Sequence, residues 1–299
     1  MSVAMTRSAG PSGIDVAYER FGDLEAPPVL LVMGLGTQML GWHQEFCAQL
    51  VGRGLQVIRF DNRDVGLSTH FSAAPAPDVM AALSGDPSSA SYTLSDMAAD
   101  SVGLLDALSL DSAHIVGASM GGMIAQTIAI EHPNRIRSLT SIMSTTGNSA
   151  VGQASQQAIG ALLSPPALDR QEAVDRTVSI FRIIGSPGFD LDEAELREQA
   201  GLSYDRADDP LGVARQLLAI IASGDRTERL RSISVPTLVI HGAGDPLVDV
   251  SGGRATAAAV PGAELDVIEG MGHDLPRALW PEITERIAAL VQRAQARTA

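Results

Sequence analysis

The sequence Gly-Ala-Ser-Met-Gly at residues 117–121 is the strongest signal of chemistry in this chain. It follows the strand-like run HIV and precedes a helix-like run that ends before Pro133. Glycines at both ends of the motif allow a tight turn from strand to helix. Such a turn raises the Ser119 hydroxyl above the carboxyl end of a sheet and places it at a helix N-terminus. Ser119 is the candidate nucleophile, and the alternative is a glycine-rich turn that serves close packing only.

A serine nucleophile needs a base to accept its proton and a carboxylate to orient that base. Among the six histidines, His273 is the best placed, because it follows the last strand-like run in a glycine-rich loop. Asp245 follows the penultimate strand-like run at the same sheet end, and Asp249 is the rival acid. The predicted catalytic set is therefore Ser119, Asp245 and His273, in that order along the chain.

Acyl transfer to a serine also requires two backbone N–H groups that stabilise the developing oxyanion. The residue after the nucleophile, Met120, supplies one of them. For the second we choose Leu35, because glycines on either side of it let the backbone approach a substrate. Met33, Met143 and Met271 fall at or just beyond predicted strand ends; they are candidate substrate contacts, and core filling explains them equally well.

The composition removes several rival mechanisms. All 21 basic residues are arginine, so a lysine Schiff base, a Walker-type phosphate loop and a Ser-Lys dyad are excluded. The single cysteine, Cys47, allows no intramolecular disulfide, and its apolar helix-like surroundings indicate a buried, inert thiol. The formal net charge of −14 argues against nucleic acid and anionic membrane surfaces as partners.

No stretch approaches about 18 consecutive apolar residues, and residues 1–13 lack the apolar run of a signal peptide. A cytoplasmic protein without a membrane span is the expectation. The mechanism suggested by the candidate residues requires no metal and no organic cofactor. The sequence leaves the oligomeric state open.

Strand-like and helix-like runs alternate along the chain, which predicts an α/β fold with a mostly parallel sheet flanked by helices. The alternation stops near residue 146 and resumes near residue 230. We therefore expect a core formed by residues 1–145 and 230–299, with a helical cap inserted at 146–229. The predicted helix at 95–108 has Ser95 as its N-cap, and the long connection 70–92 is expected to be a mobile border of the active site or disordered.

The segment Asp61-Asn62-Arg63-Asp64 follows a predicted strand on the same side as the catalytic set. One interpretation makes Arg63 or Asp64 a substrate contact. The favoured interpretation is that the charged residues of this turn pair with each other and hold the loop.

Taken together, the segments at 33–34, 61–68, 117–122, 245–246 and 270–273 resemble the α/β-hydrolase superfamily. The chain resembles more closely an actinobacterial branch of that superfamily that includes aclacinomycin methylesterases and lipase-esterases. The resemblance covers nearly the whole chain and is weakest between 146 and 230. It implies a capped α/β-hydrolase with Ser119 as nucleophile, His273 as base and Asp245 as acid.

The expected function is hydrolysis of a small-molecule carboxylic ester through an acyl-enzyme intermediate, as in a carboxylesterase, methylesterase or lipase-like enzyme. Thioester hydrolysis, carbon–carbon bond hydrolysis and perhydrolysis use the same machinery and stay open. From a different class, a small-molecule receptor that keeps a slow triad is also open. A carboxylate nucleophile, as in haloalkane dehalogenases and epoxide hydrolases, is disfavoured by the serine at position 119.

Overall fold

The computed structural model describes residues 3–297. Its eight strands are β1 (Ala4–Ala9), β2 (Ile14–Phe21), β3 (Pro28–Val32), β4 (Gln56–Phe60), β5 (Ala113–Ala118), β6 (Ile136–Ile142), β7 (Thr237–Gly242) and β8 (Glu264–Ile268). They form one sheet in the order β1-β2-β4-β3-β5-β6-β7-β8. Strand β2 is antiparallel to both of its neighbours, and every other neighbouring pair is parallel. The sheet confirms the α/β fold class.

The α-helices are α1 (Gln44–Val51), α2 (Val79–Leu83), α3 (Leu94–Ala107), α4 (Met120–Glu131), α5 (Gln156–Leu162), α6 (Arg170–Ile184), α7 (Glu193–Arg206), α8 (Pro210–Ser223), α9 (Thr227–Leu230), α10 (Ser251–Ala259) and α11 (Trp280–Ala296). Short 3-10 helices lie at Met39–Gly41, Pro133–Arg135 and Arg277–Leu279. None of the helices within residues 3–297 is long and apolar enough to cross a membrane.

Helices cover both faces of the sheet, so its central strands are buried throughout. Alternate residues of a strand point to opposite faces, and β3 shows this directly. Leu30 packs in one core cluster with α3 and α4, and Leu31 packs in the other with α1 and α11. Burial on both faces explains why β3 is a continuous apolar run in the sequence.

The chain between β6 and β7 contains helices α5 to α9 and, among the residues that the structure describes, no strand. Four of these helices begin with a side-chain cap from serine or aspartate, at Ser155, Asp169, Asp192 and Asp209. Each cap accepts a hydrogen bond from a backbone N–H of the first turn, which would otherwise lack a partner. That this segment acts as a cap over the sheet stays a prediction.

Three local features differ from the sequence expectation. Strand β1 was not predicted, because its sequence AMTRSA, at the edge of the sheet, has neither an apolar run nor an alternation of polar and apolar residues. Helix α3 is capped by Thr93 and not by Ser95, since Thr93 and Asp96 form a reciprocal capping box while the Ser95 hydroxyl donates to Glu131. The connection 70–92 is not without structure: it contains α2, which Asp78 caps.

Candidate active site

Ser119 lies in a strained turn between β5 and α4. Its backbone has φ 55° and ψ −122°, a conformation that residues with a side chain rarely adopt, and its N–H donates to Ile142 O at 2.9 Å. The two glycines of the motif permit this turn sterically. A Cβ on Gly117 would lie 2.0 Å from Gly121 O, and a Cβ on Gly121 would lie 2.1 Å from Val32 O. The sequence therefore folds into the sharp strand-to-helix turn that the motif predicts.

The structure brings Ser119, His273 and Asp245 together in one hydrogen-bonded chain. His273 Nε2 lies 2.9 Å from Ser119 Oγ, and His273 Nδ1 lies 2.7 Å from Asp245 Oδ2. The other carboxylate oxygen of Asp245 accepts the N–H groups of Leu247 and Val248, each at 2.9 Å. Because the carboxylate fixes the proton on Nδ1, Nε2 is left to accept the hydroxyl proton. The histidine and the acid are buried, with 8% and 5% of their surfaces exposed, while Ser119 is more exposed.

The rival acid has a different role. Asp249 accepts the N–H of Ser251 at 2.9 Å just before α10, and that hydrogen bonding lowers the pKa of Asp249. His241 is a buried structural histidine whose Nε2 lies 2.8 Å from Val248 O, and burial lowers the pKa of its imidazole.

The predicted oxyanion-hole residues lie on either side of Ser119. A Cβ on Gly34 would lie 3.1 Å from the Ser119 Cβ, so the loop that carries Leu35 runs directly against the serine. Within residues 3–297 the Leu35 N–H donates to no protein acceptor, and Met120 occupies the first turn of α4, where N–H groups have no carbonyl partner inside the helix. Binding of an oxyanion by these two N–H groups stays a prediction.

The candidate methionines are buried. Met33, Met143 and Met271 belong to the core cluster on the side of α1 and α11, and Met120 belongs to the cluster on the opposite face. Core packing accounts for these positions, and contact with a substrate stays a prediction for the first three.

Helix α6 and the loop after it hold the histidine loop. The backbone N–H of His273 donates to Ile184 O at 2.7 Å, and Gly188 N–H donates to Gly270 O at 2.9 Å. The Ser186 hydroxyl accepts the Gly272 N–H at 2.8 Å and donates to the Asp274 carboxylate. Sequence reasoning missed these contacts, because Ser186 has no motif around it.

The charged turn after β4 pairs with other elements and not within itself. Arg63 forms a two-pronged ion pair with Asp100 of α3. The Asp61 carboxylate lies 2.8 Å from the Arg206 guanidinium of α7. The Asp64 carboxylate lies 2.8 Å from the Arg215 guanidinium of α8. The expectation of internal pairing was wrong, because the partners are far away in sequence and invisible to a local pattern.

One cluster in the described part of the chain has the side chains for a metal ion, namely Asp64, His70 and Asp209. Arg215 already contacts the two carboxylates, at 2.8 Å and 3.2 Å. Burial lowers the pKa of His70, but its hydrogen bonds to Gly66 O and Asp209 raise that pKa overall. The guanidinium supplies the positive charge that a metal would bring, so the cluster is an ion-pair network between the core and the insertion.

Cys47 lies in α1, fully buried among apolar side chains. Burial raises the pKa of its thiol to about 12. Because the thiolate is the nucleophilic form, this cysteine is inert near neutral pH, in agreement with the interpretation from the sequence.

Comparison with known proteins places this geometry in a family. A family model described as the alpha/beta hydrolase fold matches residues 27–179. The rhodomycin D methylesterase of Streptomyces peucetius is 28% identical over 306 residues, with 95% of this chain and 97% of the relative covered. The 3-oxoadipate enol-lactonase 2 of Acinetobacter baylyi is 29% identical, with 85% and 86% covered.

Among solved structures, a hydrolase from Pseudomonas aeruginosa PA01 superimposes with a TM-score of 0.69 and 25% identity, and 98% of each chain is covered. The family model matches just over half of the chain, and the methylesterase match extends over nearly all of it. With the parallel sheet and the strand-to-helix turn at Ser119, these matches show that the chain belongs to the α/β hydrolase fold family.

Proposed function

We propose that this protein is a serine hydrolase that cleaves small-molecule carboxylic esters through an acyl-enzyme intermediate. The observation that carries the proposal is the unbroken chain of hydrogen bonds from Ser119 through His273 to Asp245. Serine hydrolysis requires this order of nucleophile, base and orienting carboxylate. The names of the relatives, a methylesterase and an enol-lactonase, support an ester as the substrate.

In the first half-reaction Ser119 Oγ attacks the ester carbonyl carbon while His273 Nε2 accepts the hydroxyl proton. The carbonyl π electrons move to oxygen, and the N–H groups of Leu35 and Met120 bind that oxyanion. When the intermediate collapses, the bond to the alkoxy group breaks and His273 returns its proton to the leaving alcohol. The acyl group is then an ester of Ser119.

In the second half-reaction a water molecule attacks the acyl carbon while His273 accepts one of its protons. The collapse of this second intermediate breaks the bond to Ser119 Oγ, which recovers a proton from His273. The products are a carboxylic acid and a regenerated serine. The Asp245 carboxylate stabilises the imidazolium that forms in both halves.

The insertion at 146–229 is the proposed cap, with its helices bordering the substrate. Its contacts with the turn after β4 and with the histidine loop support that role. Met33, Met143 and Met271 are proposed to form the adaptable apolar wall behind the reacting ester.

The test is ester hydrolysis by purified wild-type and Ser119→Ala proteins across p-nitrophenyl esters of increasing chain length, a methyl ester and a thioester. We expect Ser119→Ala to lower kcat by roughly 10⁴-fold or more. Ser101→Ala is the matched control, since Ser101 is a buried serine of α3 that hydrogen-bonds only to Met97 O in the described chain.

Fluorophosphonate should label wild type and Ser101→Ala but not Ser119→Ala. Full activity or labelling of Ser119→Ala would refute the assignment of the nucleophile. If the wild type is labelled but hydrolyses the thioester much faster than every oxygen ester, the proposed substrate becomes a thioester.

A further inference from the structure

Gln216 of α8 is a buried glutamine whose side chain bridges two loops of the core. Its Oε1 accepts the backbone N–H of Gly36 at 2.8 Å, and its Nε2 donates to Arg63 O at 2.6 Å. The side chain is 0% exposed, so water does not replace either partner. A buried amide that satisfies two backbone groups resists displacement, because moving it would leave both groups unpaired.

Gly36 is the residue directly after Leu35, the proposed oxyanion donor. It has φ 64°, and a Cβ at this position would lie 3.1 Å from both methyl carbons of Val213, one turn before Gln216 on α8. Helix α8 therefore both packs against Gly36 and binds its N–H. The Leu35 N–H belongs to the peptide group between Gly34 and Leu35. The orientation of that group depends on the position in which Gly36 is held.

The other end of the bridge is rigid. Arg63 pairs with Asp100 through two hydrogen bonds of 2.6 Å and 2.8 Å, and its guanidinium carbon lies 4.9 Å from the centre of the Phe71 ring and 4.8 Å from that of Tyr92. The adjacent Asn62 donates to Met33 O at 3.0 Å. The loop after β3 is thus held at Met33 by the core and at Gly36 by the insertion, with Leu35 between these two points.

We propose that Gln216 is a positioning residue for ester hydrolysis, which fixes the loop 34–37 so that the Leu35 N–H faces the oxyanion. The inference rests on the function proposed above and adds that the insertion helps to build the oxyanion hole. Loss of the bridge should therefore weaken stabilisation of the transition state more than binding of the substrate.

The test compares wild type with Gln216→Met, which has a side chain of similar length without the amide. We expect kcat to fall about 10- to 100-fold, since loss of an oxyanion donor costs about 10²- to 10³-fold and a displaced donor costs less. The KM should change less than about threefold. Gln216→Leu is the second variant. Thermal unfolding shows whether each protein is folded, and fluorophosphonate titration gives the concentration of its reactive sites.

Gln38→Met is the matched control. The Gln38 amide group donates to Ser203 O and Ala207 O of the insertion, and its oxygen accepts from Arg206, but it does not bond to the backbone of 34–37. This variant removes a buried glutamine between the same two parts of the molecule. We expect its kcat per titrated site to stay within about threefold of wild type.

A trifluoromethyl ketone separates positioning from a purely structural role, because its adduct with Ser119 is a tetrahedral oxyanion. The Ki of the ketone should rise in Gln216→Met by the same factor as kcat/KM falls. An unchanged kcat per titrated site in both Gln216 variants would overturn the inference, as would an equal loss in Gln38→Met. A wild type without ester hydrolysis would instead refute the proposed function itself, which the wild-type assay reports separately.

Discussion

The backbone strain at Ser119 is maintained by close packing around the turn. A non-glycine residue in such a conformation costs about 1–3 kcal/mol and persists only where its surroundings determine it. Here Gly117 packs on Gly121 O and Gly121 packs on Val32 O, so three segments of backbone meet with no room for a side chain. Strand β5, the turn and helix α4 together fix the position of Ser119.

Gly121→Ala should therefore disrupt the turn. The added Cβ would lie 2.1 Å from Val32 O, which is backbone and cannot rotate away. We expect a loss of stability of about 2 kcal/mol or more and a fall in kcat, measured by thermal unfolding and ester hydrolysis. Gly160→Ala is the control, since a Cβ on Gly160 in α5 meets nothing within 4 Å and should stabilise the helix slightly. A Gly121→Ala protein as stable as wild type would contradict the packing argument.

The sequence allowed prediction of the site residues that follow strands. It did not allow prediction of the residues of the insertion that hydrogen-bond to the loops of the site. Ser119 comes directly after β5, and Asp245 and His273 lie in the loops that follow β7 and β8, so parallel strands bring all three to the same sheet end. Gln216 and Ser186 lie in or after helices of the insertion. Their partners are 180 and 86 residues away, and no local pattern encodes such pairing.

At the scale of elements, the insertion contacts two loops of the proposed active site. Helix α8 binds the loop after β3, and the end of α6 binds the loop of His273. Arg206 and Arg215 add ion pairs to carboxylates of the turn after β4. The insertion is therefore attached to the core along the edge where the proposed catalytic residues lie.

Ser186→Ala tests the second of these attachments. Without the hydroxyl, the Gly272 N–H and the half-buried Asp274 carboxylate, whose pKa is raised by desolvation, each lose a partner. We expect kcat to fall about 3- to 30-fold through displacement of His273, with a smaller effect on KM. Ser179→Ala is the control, because the Ser179 hydroxyl donates within α6, to Asp175 O at 2.8 Å. Equal kcat values for the two variants would show that the hydroxyl does not position the loop.

The strand and helix predictions agree with the structure in their alternation before and after the segment between β6 and β7. They failed at β1, whose pairing with β2 gives it a place in the sheet without an apolar run. The cap of α3 was displaced by two residues, because Thr93, unlike Ser95, has an acidic partner three positions later in Asp96. The local sequence is compatible with more than one strand or cap assignment, and tertiary contacts determine which one forms.

At the scale of the whole molecule, burial of His114 couples stability to pH. Burial lowers the pKa of this imidazole to about 4. Its Nδ1 lies 2.8 Å from Ser138 Oγ, and its Nε2 lies 2.9 Å from the amide nitrogen of Gln295 in α11. The neutral ring, with the proton on Nδ1, satisfies both contacts, whereas a proton on Nε2 would oppose the second.

The sign of the effect follows from proton binding. Between pH 6.5 and 4 the unfolded chain protonates this histidine and the folded protein does not, so stability falls as pH falls. The shift corresponds to about 3 kcal/mol across that window. His114→Gln should show a shallower loss of the free energy of unfolding between pH 6.5 and 4, measured by urea denaturation. Parallel pH curves for the two proteins would rule out this coupling.

The long sequence separations within the site bear on how the protein folds. The contact between Ser119 and His273 spans 154 residues, and the contact between Gly36 and Gln216 spans 180. Contacts of such separation form slowly, because they require closure of long loops. Secondary structure can therefore recover during refolding before Ser119 and His273 meet. Regain of hydrolysis would mark the last stage of folding, and a chain interrupted in synthesis before His273 would carry most of the sheet without a working site.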